Sequence, residues 1–307
     1  MLNRSSIIVL MNRLDRKQRA QILAALVEGN SIRATARMTG VSKNTVTKLL
    51  VEVGKVCAEY QNKAMCEIEC EAVEVDEIWS FCYAKQKNVP AEKQGEFGYG
   101  DVWTFTAVCA ESKLVPCFLV GSRDGYTASV FMEDLAARLK GRIQLTTDGH
   151  TMYLDAVEGA FGFGIDYAML QKIYGSDPEA ERRYSPAKCI GTTCQPIQGA
   201  PRADRISTSY VERQNLTMRM QMRRFTRLTN GFSKKVENLA CAVALHFMYY
   251  NFCRPHRSLR TERNNRVTPA MAAGIADRPW SLGDVVAMLE VTERDASEVY
   301  HDSVKAN

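Results

Sequence analysis

Apolar residues recur at helical spacing between Asp15 and Glu28, with Ile22, Leu23, Leu26 and Val27 on one side and Gly29-Asn30 closing the run. A second short helix follows from a Ser cap, Ser31 to Met38. After Thr39-Gly40-Val41, a third opens at Ser42 and runs to about Val53. Small residues in the second helix, a glycine in the turn, and Val41 and Val46 as anchors give the sequence form of a helix-turn-helix. The stretch from Lys55 to Glu71 is polar and reads as a linker. The period then changes. Ala72 to Tyr83, Val102 to Cys109 and Leu114 to Val120 read as strands rich in Val, Ile, Phe, Tyr and Trp. Thr127 to Lys140 is an amphipathic helix, Arg142 to Thr147 a strand, Met152 to Phe161 a helix, and Ile165 to Ile173 a last strand. The order β-β-β-α-β-α-β predicts an α/β unit with a mixed sheet behind an all-α unit. A long loop, 175–207, precedes a helix near Tyr210, and Ser233 to Phe252 reads as a long helix. The expected divisions are 1–55, a linker 56–71, the α/β unit 72–260, and a tail 261–307 holding a short helix at Val285 to Val291.

Charge sharpens this division. Residues 1–65 hold 11 Lys/Arg and 4 Asp/Glu; residues 66–201 hold 12 and 20; residues 202–266 hold 14 and 4; the tail holds 3 and 7. Two basic blocks around an acidic centre suit a polyanion-binding protein with a metal-dependent core. All but two of the bases in the third block are arginine, which favours phosphate contact over mere solubility. No run of about 18 apolar residues is present, so no transmembrane helix is expected. Ten cysteines without a secretion signal predict reduced thiols and a cytoplasmic setting. Cys66 with Cys70, and Cys189 with Cys194, have spacings that zinc can use, but incidental thiols are the plainer reading.

The candidate chemistry starts at Asp76, an acid in the hydrophobic run Val73 to Phe81, where burial without a metal or partner is costly. Asp148 falls at the C-terminal end of a strand, where active sites of open α/β sheets gather. Glu212 lies in the first turn of the helix after the long loop. Catalysis by two bound metals about 4 Å apart needs carboxylates converging from such distant elements. Each residue has a plainer reading: Asp148-Gly149 as a turn, and Ser209-x-x-Glu212 as a capping box. Strand alternation sends Glu77 to the face opposite Asp76, so only one of them reaches a common site, whereas Glu74 shares the face of Asp76. On an ideal helix Glu212, Arg219 and Arg223 share an arc beside an apolar stripe of Val211, Met218, Met222 and Phe225. In the N-terminal unit Lys43, Asn44, Thr47 and Lys48 are the candidates to face a DNA major groove, the plainer reading being a three-helix packing module with no DNA role. His246 reads as a core histidine, and His256 as a capping or phosphate-facing residue.

Val75-Asp-Glu-Ile-Trp79, Thr147-Asp-Gly-His150 and Tyr210-Val-Glu-Arg213 resemble the three acidic motifs of DDE transposases with a retroviral-integrase, RNase H-like core. The run Arg224 to Lys235, Tyr250-Asn-Phe-Cys-Arg-Pro-His256 and Thr268-Pro-Ala270 resemble the insertion-sequence-one family most closely. The resemblance spans about residues 15–275. It implies a polynucleotidyl transferase in which Asp76, Asp148 and Glu212 hold two Mg²⁺ or Mn²⁺ ions. It implies cleavage and joining of double-stranded DNA, at element ends and target, by a dimer or larger assembly in the bacterial cytoplasm, on the nucleoid. Two features depart from the family: no cysteine cluster precedes the helix-turn-helix, and the second spacing, 64 residues against 72 for the first, is long beside that of integrases. An RNase H-type nuclease without joining activity, or an inactive DNA-binding regulator, are the alternatives.

Overall fold

A computed structural model describes residues 14–175, 189–226 and 230–305. Parts of three expected features, the N-terminal basic block at 1–13, the loop at 176–188 and the Arg224 to Lys235 run at 227–229, lie outside them. Helix α1, Arg16–Val27, starts at a reciprocal capping box: Asp15 accepts from the Gln18 amide at 2.7 Å and the Gln18 side chain accepts from the Asp15 amide. Ser31 caps α2, Ile32–Thr39, and Ser42 caps α3. Gly40, at φ 73°, supplies the left-handed turn between them.

Helix α3 corrects the expected boundary. It runs from Lys43 to Ala64, through the first half of the stretch read as a linker. Leu49, Leu50, Val53, Cys57 and Gln61 are buried along it, and Gln61 donates to the Ala244 carbonyl at 3.1 Å. The polar majority of residues 55–64 disguised a narrow face that packs on a later helix, α7 (Val236–Met248). Gly54 is the point of closest approach: a Cβ there would stand 2.5 Å from both Cβ and the carbonyl oxygen of Cys241.

The sheet consists of β2 (Ala72–Cys82), β3 (Gly100–Cys109), β4 (Phe118–Gly121), β6 (Ile143–Asp148), β7 (Ile165–Tyr174) and β8 (Cys189–Gln198) in the order β4-β3-β2-β6-β7-β8. The first three strands are antiparallel, β2-β6-β7 are parallel, and β8 is antiparallel to β7. A two-residue parallel pair, β1 (Ile68–Glu69) with β5 (Leu139–Lys140), lies apart from it. This is an RNase H-like mixed sheet behind an all-α helix-turn-helix unit, as the sequence leads one to expect. Alternation divides its two cores. Val73, Val75 and Phe105 pack under α4 (Gly125–Arg138) and α5 (Met152–Phe161); Ile78, Val102 and Val108 pack with α6 (Ser209–Gln221), α7 and the N-terminal helices.

Other boundaries move. β8 lies inside the stretch read as a loop. Its sequence, with Gly191, Thr192, Thr193 and Pro196, lacks apolar alternation because it is an exposed edge strand. Residues 114–117 are buried but irregular, and the strand begins only at Phe118. The long C-terminal helix is shorter than expected: α7 gives way to a wider turn at Tyr249–Cys253, where Asn251 exchanges two 3.0 Å hydrogen bonds with the Val115 backbone. After the short α8 (Pro269–Ala272), the tail is a 24-residue helix, α9 (Leu282–Lys305). It packs against α1, with Arg16 paired to Glu290 and Arg19 to Glu293. Among the described residues no helix is long and apolar enough to cross a membrane.

Candidate nucleic-acid-processing site

The site lies where β6 ends. β2 pairs with β6 only from Ala72 to Val75, so Asp76 and Glu77 run past the end of that neighbour, beside Asp148. One carboxylate oxygen from each of Asp76, Glu77 and Asp148 lies within 4.8 Å of the others. Alternation does send Asp76 toward α6 and Glu77 toward α5, but no strand stands between the two faces at this rim. The expectation that only one of the pair can reach the site is therefore corrected. Glu77 is the more tightly held. Its Oε1 accepts from Arg123 Nε at 2.6 Å and its Oε2 from the Tyr153 hydroxyl at 2.7 Å. Arg123 also approaches Asp148 at 3.8 Å and lies over the Trp103 ring.

Glu74 corrects a second expectation. It shares the face of Asp76 but lies within the paired part of the sheet, opposite Thr146 and Val108. Its Oε2 accepts from the Tyr210 and Val211 amides at 2.6 and 3.0 Å, so it caps the N-terminus of α6 rather than joining the cluster. With that end capped by Glu74, the Ser209–Glu212 capping box does not form; the Ser209 amide donates to Ser207 Oγ instead. Glu212 faces the cleft shared by Asp76, Glu77, Asp148, Lys172, Asn215 and Arg219. Its carboxylate is paired with Lys172 of β7 and accepts from Thr208 Oγ1 at 2.6 Å. The structure thus brings Asp76 and Asp148 together with Glu77, and sets Glu212 across the same cleft. Asn215, one turn along α6, donates to Asp76 Oδ2 at 2.8 Å, while its own Oδ1 is buried without a hydrogen-bond partner.

The electrostatics match this crowding. Burial, then the charges of Glu77 and Asp148, push the Asp76 carboxyl up to about 7. Burial and Glu77 also raise Asp148, against the pull of the His150 amide and Arg123. Carboxylates pushed together in this way lack positive charge, and an all-oxygen donor set fits a hard divalent cation.

Arg219 lines the cleft, but Arg223 does not share its face. α6 ends at Gln221, Met222 is extended at φ −131° and ψ 108°, and Arg223 lies exposed in the following turn. Burial of Met222 and Phe225 redirects the chain there. In the N-terminal unit Lys43, Asn44 and Lys48 are exposed on the first turns of α3, and the Thr47 hydroxyl donates back to the Lys43 carbonyl. His246 is buried against Gln214, and burial, then Arg254, lowers it to about 3. His256 bonds locally to Ser258. Sequence reasoning set Glu77 aside and missed Arg123, Lys172 and Asn215. Only Asn215 carried a signal, its i+3 spacing from Glu212.

Residues 13–50 match the family model of a homeodomain-like domain. No curated protein matches the chain. Among solved structures, a pre-cleavage Mos1 transpososome is similar at 10% identity and TM-score 0.20, over 51% of this chain and 60% of that one. A synaptic complex of piggyBac transposase with hairpin DNA is similar at 9% identity and TM-score 0.36, over 92% of this chain and 74% of that one. The chain thus spans about 60% of the length of the Mos1 chain. What stands is a homeodomain-like helix-turn-helix joined to an RNase H-like sheet with an acidic cluster at its rim.

Proposed function

We propose that this chain is a DDE-type DNA transposase of the insertion-sequence-one kind. The observation that carries the reading is the meeting of Asp76 and Asp148 at the rim where β6 ends, with Glu212 across the same cleft. Asp76, Asp148 and Glu212 are the residues that would hold Mg²⁺ or Mn²⁺. Glu77 is already committed to Arg123 and Tyr153, with its side chain only 1% exposed, whereas Glu212 is 39% exposed and turned to the cleft. Divalent ions bound there supply Lewis-acid stabilisation to the attacking and leaving oxygens of phosphodiester transfer.

The remaining work falls to the chain itself. Asn215 fixes the rotamer of Asp76, and the Glu77–Arg123–Tyr153 group holds the wall beside Asp148. Lys172 and Arg219 offer positive charge to the phosphates that enter. The exposed side of α3 docks in a major groove and fixes where the strand is presented. Water first cleaves the phosphodiester at the element's 3′ end, and the freed 3′-hydroxyl then attacks a target phosphodiester and displaces a 3′-oxygen. Both ends of an element must be held at once, so the active form is a dimer or larger.

The test is transposition in cells. A donor plasmid carries a resistance marker between the DNA segments that flank this gene. The wild-type chain is expected to move the marker to a recipient replicon, and Asp148→Asn to lower the frequency at least about 10³-fold, in line with losing a group that acts only in the transition state. Equal frequencies for the two proteins would refute the assignment. Cleaved but never joined ends would favour a nuclease.

A further inference from the structure

Away from the rim, a second cluster has a different chemistry. Cys70 lies just before β2, Cys109 closes β3, and Glu111 stands in the turn after it. Both thiol sulfurs lie 3.4 Å from the same oxygen, Glu111 Oε2, and the three atoms lie within 4.8 Å of one another. The antiparallel pairing of β2 with β3 makes this meeting: Val73 is the register partner of Cys109, and the Ala110 amide donates to the Ala72 carbonyl at 2.8 Å. Neither cysteine pair suggested by sequence spacing behaves this way. Cys66 is exposed and bonds to the Asn62 and Lys63 carbonyls, and Cys189 and Cys194 are exposed on the edge strand.

We infer that Cys70, Cys109 and Glu111 form a site for a thiophilic divalent cation, Zn²⁺ in the cell. Two sulfurs and one carboxylate oxygen are ligands zinc takes, with Zn–S about 2.3 Å and Zn–O about 2.0 Å; a tetrahedral centre then sets S···O edges of about 3.5 Å. The observed 3.4 Å edges match on both sides. The crowding at Oε2 points the same way. Four donors converge on that one oxygen, the two thiols and the amides of Glu71 and Ala72, and none comes nearer than 3.3 Å. The other oxygen, Oε1, is fixed by Arg205 at 2.9 Å, which holds the carboxylate with Oε2 toward the sulfurs. Cys70 Sγ also lies 3.1 Å from the Ala72 carbonyl. On binding, each thiol releases its proton to solvent, and the fourth position takes a water on the exposed side of Glu111. The ion ties the segment that enters β2 to the β3–β4 turn. Through Arg205 it also ties that turn to the chain leading into α6.

Co²⁺ is the probe, added to the full-length chain after treatment with chelator and a phosphine reductant. Wild-type protein is expected to develop the near-ultraviolet thiolate-to-cobalt charge-transfer absorption at one equivalent. The carboxylates at the rim cannot give that band, so the result does not depend on the proposed function. Cys70→Ser, at a half-buried position, loses the band; Glu111→Gln keeps a band but binds at least about tenfold more weakly; Cys66→Ser is unaffected. Saturating Zn²⁺ raises the unfolding midpoint of the wild type, and not of Cys70→Ser, by roughly 5 °C. No band in the reduced wild type, or an undiminished band in Cys70→Ser, overturns the site.

Discussion

Asp76→Asn is expected to remove activity and, without divalent ions, to make the protein more stable. The carboxyl of Asp76 stands at about 7 against an ordinary 3.8, through burial first and then Glu77 and Asp148. A folded-state value above the unfolded one means that the folded chain holds the proton more tightly. That contribution is complete below about pH 4 and is lost as pH rises through about 7. Asp148 and Glu74 are raised in the same sense, so metal-free protein should lose stability as pH rises across that window. At pH 7.5 the asparagine escapes a penalty of up to roughly 4 kcal/mol for ionising Asp76. Its Oδ1 still accepts from the Glu77 amide, but its Nδ2 faces the Asn215 amide group from which Asp76 Oδ2 accepts at 2.8 Å, and losing that bond returns about 1–2 kcal/mol. A net gain of about 2 kcal/mol corresponds to roughly 5 °C in the unfolding midpoint. Thermal melts in chelator should show it, and millimolar Mg²⁺ should raise the wild type alone. A variant that melts below the wild type in chelator at pH 7.5 would mean that the rim is not crowded by charge.

Gly54→Ala is the largest expected loss of stability. Its new methyl would stand 2.5 Å from the Cys241 Cβ and 2.5 Å from the Cys241 carbonyl oxygen. One contact can be relieved by trimming Cys241, but the other is backbone of α7, so both helices must separate. Overpacking of this kind costs about 3 kcal/mol or more. Urea unfolding measures it, and Cys241→Gly in the same chain should restore less than half. A loss below about 0.5 kcal/mol would show that the α3–α7 contact is loose. The consequence reaches the proposed function, because α3 both carries the residues proposed to face the groove and packs on the helix behind the sheet.

The parts of this fold that were legible share a cause. Asp76 stood out because an acid interrupts an apolar strand, and Asp148 because it closes one; neither inference needs the rest of the chain. Apolar periodicity from Asp15, the Ser31 cap, the turn at Gly40 and the opening at Ser42 placed the starts of the three helices to within a residue or so. What stayed hidden depends on tertiary neighbours. Glu77 was dismissed by a period-two rule that holds only while strands continue on both sides, and β6 stops at Asp148. Glu74 looked like a substitute for Asp76 because nothing in its own segment reveals that α6 arrives with unsatisfied amides at Tyr210 and Val211. β8 is held by its backbone bonds to β7, so its side chains carry no strand pattern. Lys172 belongs to a strand whose alternation says nothing of the glutamate it meets.

The central claim is that Asp76, Asp148 and Glu212 together serve phosphodiester transfer. Strand transfer with a precut, labelled DNA end, taken from the segments flanking the gene, and a plasmid target tests it most directly. The wild type is predicted to join the end in Mg²⁺ and not in chelator, and Asp76→Asn, Asp148→Asn and Glu212→Gln each to lower joining at least about 10³-fold. Joining that persists in chelator, or that is undiminished in Glu212→Gln, would contradict it.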